Sequence, residues 1–166
     1  MSVTACGSDP SIAVEDRDLK QSGVVDVPPP PGWIYVRDFD RLPKPRSGSA
    51  LPTPAEMISI VFELEQGGGF GQAYIARFAS PDPSLDLYNR VAQADVENKQ
   101  TIAGLGERAV LVDTPTGTLR QINFVRCQVQ VMLMFSAWGV STSLSDEDFI
   151  AYGQRLDAAL QPHVCS

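Results

Sequence analysis

The sequence predicts an α+β domain in which an antiparallel sheet of about five to six strands is packed by two helices, an α-β-α sandwich-like arrangement. Three observations carry this. The longest apolar run, Leu119–Gly139, alternates with a period of two: Val129, Val131, Leu133 and Phe135 on one side, Gln128, Gln130, Met132 and Met134 on the other. A second alternating pair of segments flanks the glycine run Gly67-Gly68-Gly69. Two stretches, one after Asp82 and one after Ser145, instead repeat apolar residues at helical spacing.

The chain has 166 residues, of which 43% are hydrophobic, material for one core of ordinary size. Nine of the thirteen prolines fall at positions 10, 28–31, 43, 45, 52 and 54, so residues 7–54 read as a Pro-rich spacer. Pro28–Pro31 must be extended, as polyproline II. Within this region Trp33–Val36 is expected to be an aromatic plug or short strand that docks onto the domain spanning residues 55–166.

Met57–Glu65 places Ile58, Ile60, Phe62 and Leu64 on one face and is a strand; Gln72–Ala79 is its partner. The glycines between them serve a hairpin turn that needs positive φ, because a phosphate-cradling loop would have to open a helix. Asp82-Pro83 fits a helix N-cap and first turn, with Leu85, Tyr88, Val91 and Val96 on one face to about Gln100. Arg108–Asp113 is a strand, and Leu119–Gly139 is too long for one strand and breaks into a hairpin near Arg126–Gln128. Ser145-Asp146-Glu147-Asp148 resembles a capping box opening a helix with Phe149, Tyr152, Leu156 and Leu160 on its apolar face, ending at Pro162.

Composition excludes several function classes. A net charge of −7 with scattered Lys and Arg argues against nucleic acid. No apolar stretch approaches the eighteen or so residues that span a bilayer. The single histidine, His163, lies near the C-terminus, and no Gly-x-Ser-x-Gly, Ser-x-x-Lys, His-Glu-x-x-His or Cys-x-x-Cys is present. No metal, cofactor or enzymatic activity is expected; Glu63 and Glu65 are the nearest approach to a carboxylate pair and read as a solvated face beside a turn. Trp33 and Trp138 are candidate exposed aromatics for a protein partner, and Met132 and Met134 candidate lining for a small-ligand pocket.

Val3-Thr4-Ala5-Cys6 resembles the lipobox of bacterial envelope lipoproteins, with residues 1–6 a remnant of the signal and Gly7-Ser8 similar to the start of a mature tail. The resemblance implies lipid on Cys6, a membrane anchor and an extracytoplasmic location, with the rest of the signal peptide missing from this sequence. Cys127 and Cys165 then remain as an even pair in an oxidising compartment, where a disulfide is expected. Gly-Leu-Gly-Glu-Arg-Ala (104–109) and the strand–turn–hairpin after it resemble a pattern in uncharacterised envelope lipoproteins, and the element order is similar to PsbP/Mog1-type α-β-α sandwiches. The expectation is a membrane-tethered binding domain whose ligand is an envelope protein or a small molecule. The alternatives are a cytoplasmic adaptor of the Mog1 kind, with Met1 as true start and free thiols, a small-ligand carrier, and a carboxylate-based hydrolase.

Overall fold

The computed structural model describes residues 19–40, 52–94, 98–113, 119–137 and 144–164. Among these, seven strands form one antiparallel sheet: β1 (Trp33–Asp40), β2 (Glu56–Leu64), β3 (Gly69–Arg77), β4 (Lys99–Thr101), β5 (Arg108–Asp113), β6 (Leu119–Arg126) and β7 (Val129–Ala137). The spatial order is β1-β2-β3-β7-β6-β5-β4. Two helices complete it, α1 (Pro81–Gln93) and α2 (Asp146–Val164). The class is α+β, with one more strand than the upper expectation.

The alternation read from the sequence is the register of the sheet. Ile60, Ala73, Leu133 and Ile122 form one row across β2, β3, β7 and β6, and Ile58, Ile75, Val131 and Phe124 the next. These side chains face α2, whose Phe149, Tyr152, Leu156 and Leu160 are all fully buried against them. Burying each such side chain contributes roughly 1.5–3 kcal/mol. Rows one residue out face α1, where Tyr88 packs with Val110 and Val125. The turn between β6 and β7 is Cys127-Gln128, with Cys127 at φ 50°, a tight two-residue connection.

Several boundaries differ from expectation. Helix α1 begins two residues earlier, at Pro81 after an N-cap Ser80, and it ends at Gln93 rather than near Gln100. Lys99–Thr101 is instead the edge strand β4: its three residues are all exposed, so no buried face left a pattern to read. Helix α2 runs through Pro162 to Val164. The stretch assigned to a spacer is already part of the folded body at Leu19. Two short 3-10 turns, Leu19–Ser22 and Val24–Asp26, bury Leu19 and Val24 in the α2-side core. Trp33 likewise opens a full edge strand paired with β2, not a separate plug, and its register shifts between Tyr35 and Arg37.

Two ion pairs dock α2. Arg120, at the start of β6, bonds Asp113 at 2.9 Å, Asp146 and the Leu144 carbonyl. Arg126, at the far end of β6, bonds Asp157. The helix therefore runs alongside β6 in the same direction, towards the Cys127 turn.

Candidate functional site

Exposed large hydrophobic side chains among the described residues lie on both faces of the sheet near its β1 edge, Tyr35 on the α2 side and Ile34 and Phe70 on the α1 side. They are Ile34 (46% exposed), Tyr35 (44%), Val36 (41%) and Phe70 (40%), on edge strand β1 and at the start of β3. Ile34, Glu63 and Phe70 are successive partners across β1, β2 and β3, so the two apolar side chains flank Glu63 on the α1 side of the sheet. At the spacing of neighbouring strands they lie about 10 Å apart. This face is a small apolar patch with a carboxylate at its centre.

The hairpin joining β2 to β3 shapes the same end of the molecule. Gly67 and Gly68 hold φ 78° and 75°, the left-handed conformation that glycine adopts without steric cost. The expected turn is thus present, and no helix follows it. A different constraint acts on Gly69 and Gly71. A Cβ on Gly69 would stand 2.8 Å from Leu64 Cβ and 3.0 Å from Trp33 Cη2, and one on Gly71 2.6 Å from the Phe135 ring. Their missing side chains form the slot in which Trp33 meets Phe135 edge-on, centroids 4.8 Å apart.

Two hollows flank this hairpin and share Leu64. One, about 480 Å³, is lined by Glu63, Leu64, Gly67–Gly69 and Phe70. The other, about 320 Å³, lies between the hairpin and the start of α2, lined by Pro31–Trp33, Leu64–Gln66, Leu144, Ser145 and Asp148. Ser145 caps α2 as expected. Its Oγ accepts from the Asp148 backbone N–H at 3.1 Å and donates to Asp148 Oδ2 at 2.6 Å.

The candidates named from sequence fare differently. Trp33 is 5% exposed, a core residue rather than a surface aromatic, although it reaches the second hollow. Met132 and Met134 are half-buried on the α1 side of the sheet, beside Tyr74 and Gln72, and line neither hollow. Cys6, Trp138 and Cys165 lie outside the described residues. Glu63 and Glu65 are exposed at the hairpin end. Ile34 and Phe70 were not singled out: Phe70 sits inside a glycine run, where a turn reading hides it.

Two further polar groups stand out. Gln72 Nε2 donates to Ser59 Oγ at 2.5 Å and Gln72 Oε1 accepts from the Tyr74 hydroxyl at 2.6 Å, a closed polar row on the α1 side. Asn123, fully buried between Val110 and Met132 in register, has no partner among the described residues for either amide atom. Burial raises the Tyr152 phenol above its ordinary value, so that hydroxyl stays neutral. Among the described residues no three His, Cys, Asp or Glu side chains cluster as metal ligands, and no helix is long and apolar enough to cross a membrane.

No family model matches this chain, nor does any curated protein. Among solved structures it is similar to a GTP-binding regulator from Thermotoga maritima, at 7% identity and TM-score 0.49 over 89% of this chain and 90% of that one. It is also similar to the extracellular domain of PknH from Mycobacterium tuberculosis, at 7% identity and TM-score 0.46 over 83% of this chain and 88% of that one. Neither likeness carries a residue or an activity across.

Proposed function

We propose that this protein is a non-catalytic interaction domain, tethered outside the cytoplasm by lipid on Cys6, that engages a protein partner through its hairpin end. The observation that carries the reading is the gathering of the exposed large hydrophobics on β1 and Phe70, beside two hollows. An exposed apolar patch rimmed by polar groups is the usual mark of a protein contact. A carrier of small apolar molecules would enclose its ligand in an apolar cavity, whereas these hollows open at the surface beside exposed carboxylates.

The anchor and the Cys127–Cys165 disulfide belong to the same proposal. Helix α2 runs towards the Cys127 turn, and Val164, its last residue and the neighbour of Cys165, is buried. A bond there would close the chain end onto the sheet and contribute roughly 3–4 kcal/mol on the chain-entropy model.

Photo-crosslinking from position 70 in the native cells tests the interaction. A discrete adduct, lost when Ile34 is changed to Asp, supports it; no adduct, with the protein folded and abundant, sinks it. Intact mass before and after reduction tests the rest. A lipid adduct on Cys6 and a two-proton gain on reduction are expected, and an unmodified chain with reduced thiols would remove anchor and disulfide together.

A further inference from the structure

The hollow between the hairpin and α2 has a definite chemistry. Trp33, Leu64 and Leu144, all nearly buried, give it an apolar floor, and Glu65 and Asp148 bring two carboxylates to its lining. Among the described residues no Lys or Arg lines it. Arg120, which bonds the carbonyl of the lining residue Leu144, is also engaged by Asp113 and Asp146. The Glu65 backbone N–H donates to the Gly32 carbonyl at 2.9 Å while its carboxylate makes no hydrogen bond among the described residues, and Asp148 spends Oδ2 on Ser145, leaving Oδ1 for a ligand. The positive end of α2 does not make this an anion site. Its first turn already carries Asp146, Glu147 and Asp148, and the Asp148 N–H is taken by Ser145.

We propose that this hollow receives a lysine or arginine side chain from an extended, basic and apolar segment of the partner protein. The inference rests on the reading of the hairpin end as a partner surface and adds the chemistry that selects the partner. The aliphatic stem lies on Trp33, Leu64 and Leu144, and the charged head meets Glu65 and Asp148, the division of labour that long cationic side chains favour. Apolar residues elsewhere in the segment cover Ile34 and Phe70 across the hairpin, with Glu63 between them as a third carboxylate. The overall charge of −7 assists approach of such a partner.

The probe is an acetylated octapeptide alternating lysine and valine, compared with peptides in which norleucine or glutamate replaces lysine, and with free N-acetyl-lysine amide. Binding to the full chain is read by anisotropy and by amide shifts at Glu65 and Asp148. The lysine peptide is expected to bind with shifts at both positions. The double variant Glu65→Gln/Asp148→Asn, which keeps the α2 cap and an unchanged melting curve, weakens it roughly fivefold to tenfold, and raised salt weakens it further. Equal binding of the norleucine or glutamate peptide overturns the proposal, as does an unaffected double variant or an absence of shifts up to millimolar peptide. Free N-acetyl-lysine amide binding as tightly as the octapeptide overturns the partner-segment part and leaves a free-amine site. In cells the two readings separate. A Phe70 adduct that survives the double variant keeps the interaction surface and removes the cationic occupant, and the absence of any adduct removes both.

Discussion

Arg126 and Asp157 meet through two parallel hydrogen bonds, Nε to Oδ1 at 2.8 Å and Nη2 to Oδ2 at 2.6 Å. Asp157 Oδ2 also accepts the backbone N–H of Gly106 at 2.9 Å. One carboxylate thus ties α2, β6 and the loop before β5. The hydrogen bonds to Asp157 hold the Arg126 guanidinium above its ordinary value against the loss of solvation, which acts to lower it. Asp157→Asn leaves a half-buried guanidinium without its counter-charge, and we expect a loss of about 2–4 kcal/mol in denaturant unfolding. A double-mutant cycle with Arg126→Leu should recover much of that loss; simple additivity would show that the pair is not coupled.

Gly106 adds a steric test of the same junction. It holds φ 56°, and a Cβ there would stand 2.5 Å from the Val125 carbonyl oxygen. Gly106→Ala is expected to lower stability by about 2 kcal/mol or more, since backbone rather than a flexible side chain must move. Gly104→Ala, at φ 74° in open space, should cost about 1 kcal/mol. Equal melting temperatures for the two variants would contradict this packing.

Asn123 supports a prediction in the opposite direction. Its buried amide has no partner among the described residues, and desolvation of such a group costs about 1–3 kcal/mol. Asn123→Leu, which matches the heavy-atom branching of the amide without its polar atoms, is expected to stabilise the domain by about 1 kcal/mol, measured by thermal and urea unfolding. A destabilised variant would mean that the amide is satisfied in solution.

Tyr35 and Asp38 give a pH dependence. The Tyr35 hydroxyl donates to Asp38, and Lys20 Nζ stands 3.3 Å from the other oxygen. The hydrogen bond from Tyr35, followed by the contribution of Lys20 and against desolvation, lowers the carboxyl below its ordinary 3.8. A depressed folded-state value stabilises the protein above the unfolded one and is lost as pH falls through the folded one. Tyr35→Phe should therefore be less stable than the parent at pH 6, and the two stability curves should converge below pH 3.8. A gap that persists at the lowest pH would assign the loss to packing of the ring.

What the sequence made legible follows from burial. Val129, Val131, Leu133 and Phe135 alternate because one side of β7 meets α2 and the other does not, so period and register coincide. The capping box at Ser145 was legible because it is local. β1 was legible only as a short strand or plug at Trp33–Val36, because at an edge Ile34, Tyr35 and Val36 are all exposed and the register shift erases the alternation. Trp33 passed for a surface aromatic because its slot is made by Gly69, thirty-odd residues away, whose role is to lack a side chain. The hollow joining Gly32, Glu65 and Asp148 depends on three distant segments, and no local pattern announces it.

The register shift in β1 has a consequence for colloidal behaviour. Three consecutive apolar residues on the rim of a sheet are ordinarily an invitation to fibril growth by strand addition. Here an incoming strand would align over Trp33–Tyr35 and then meet an extra residue, with Arg37 and Asp38 just beyond, so a long in-register ladder is blocked. The same rim stays open to a short contact, so its apolar residues remain presented while a long strand ladder is not templated.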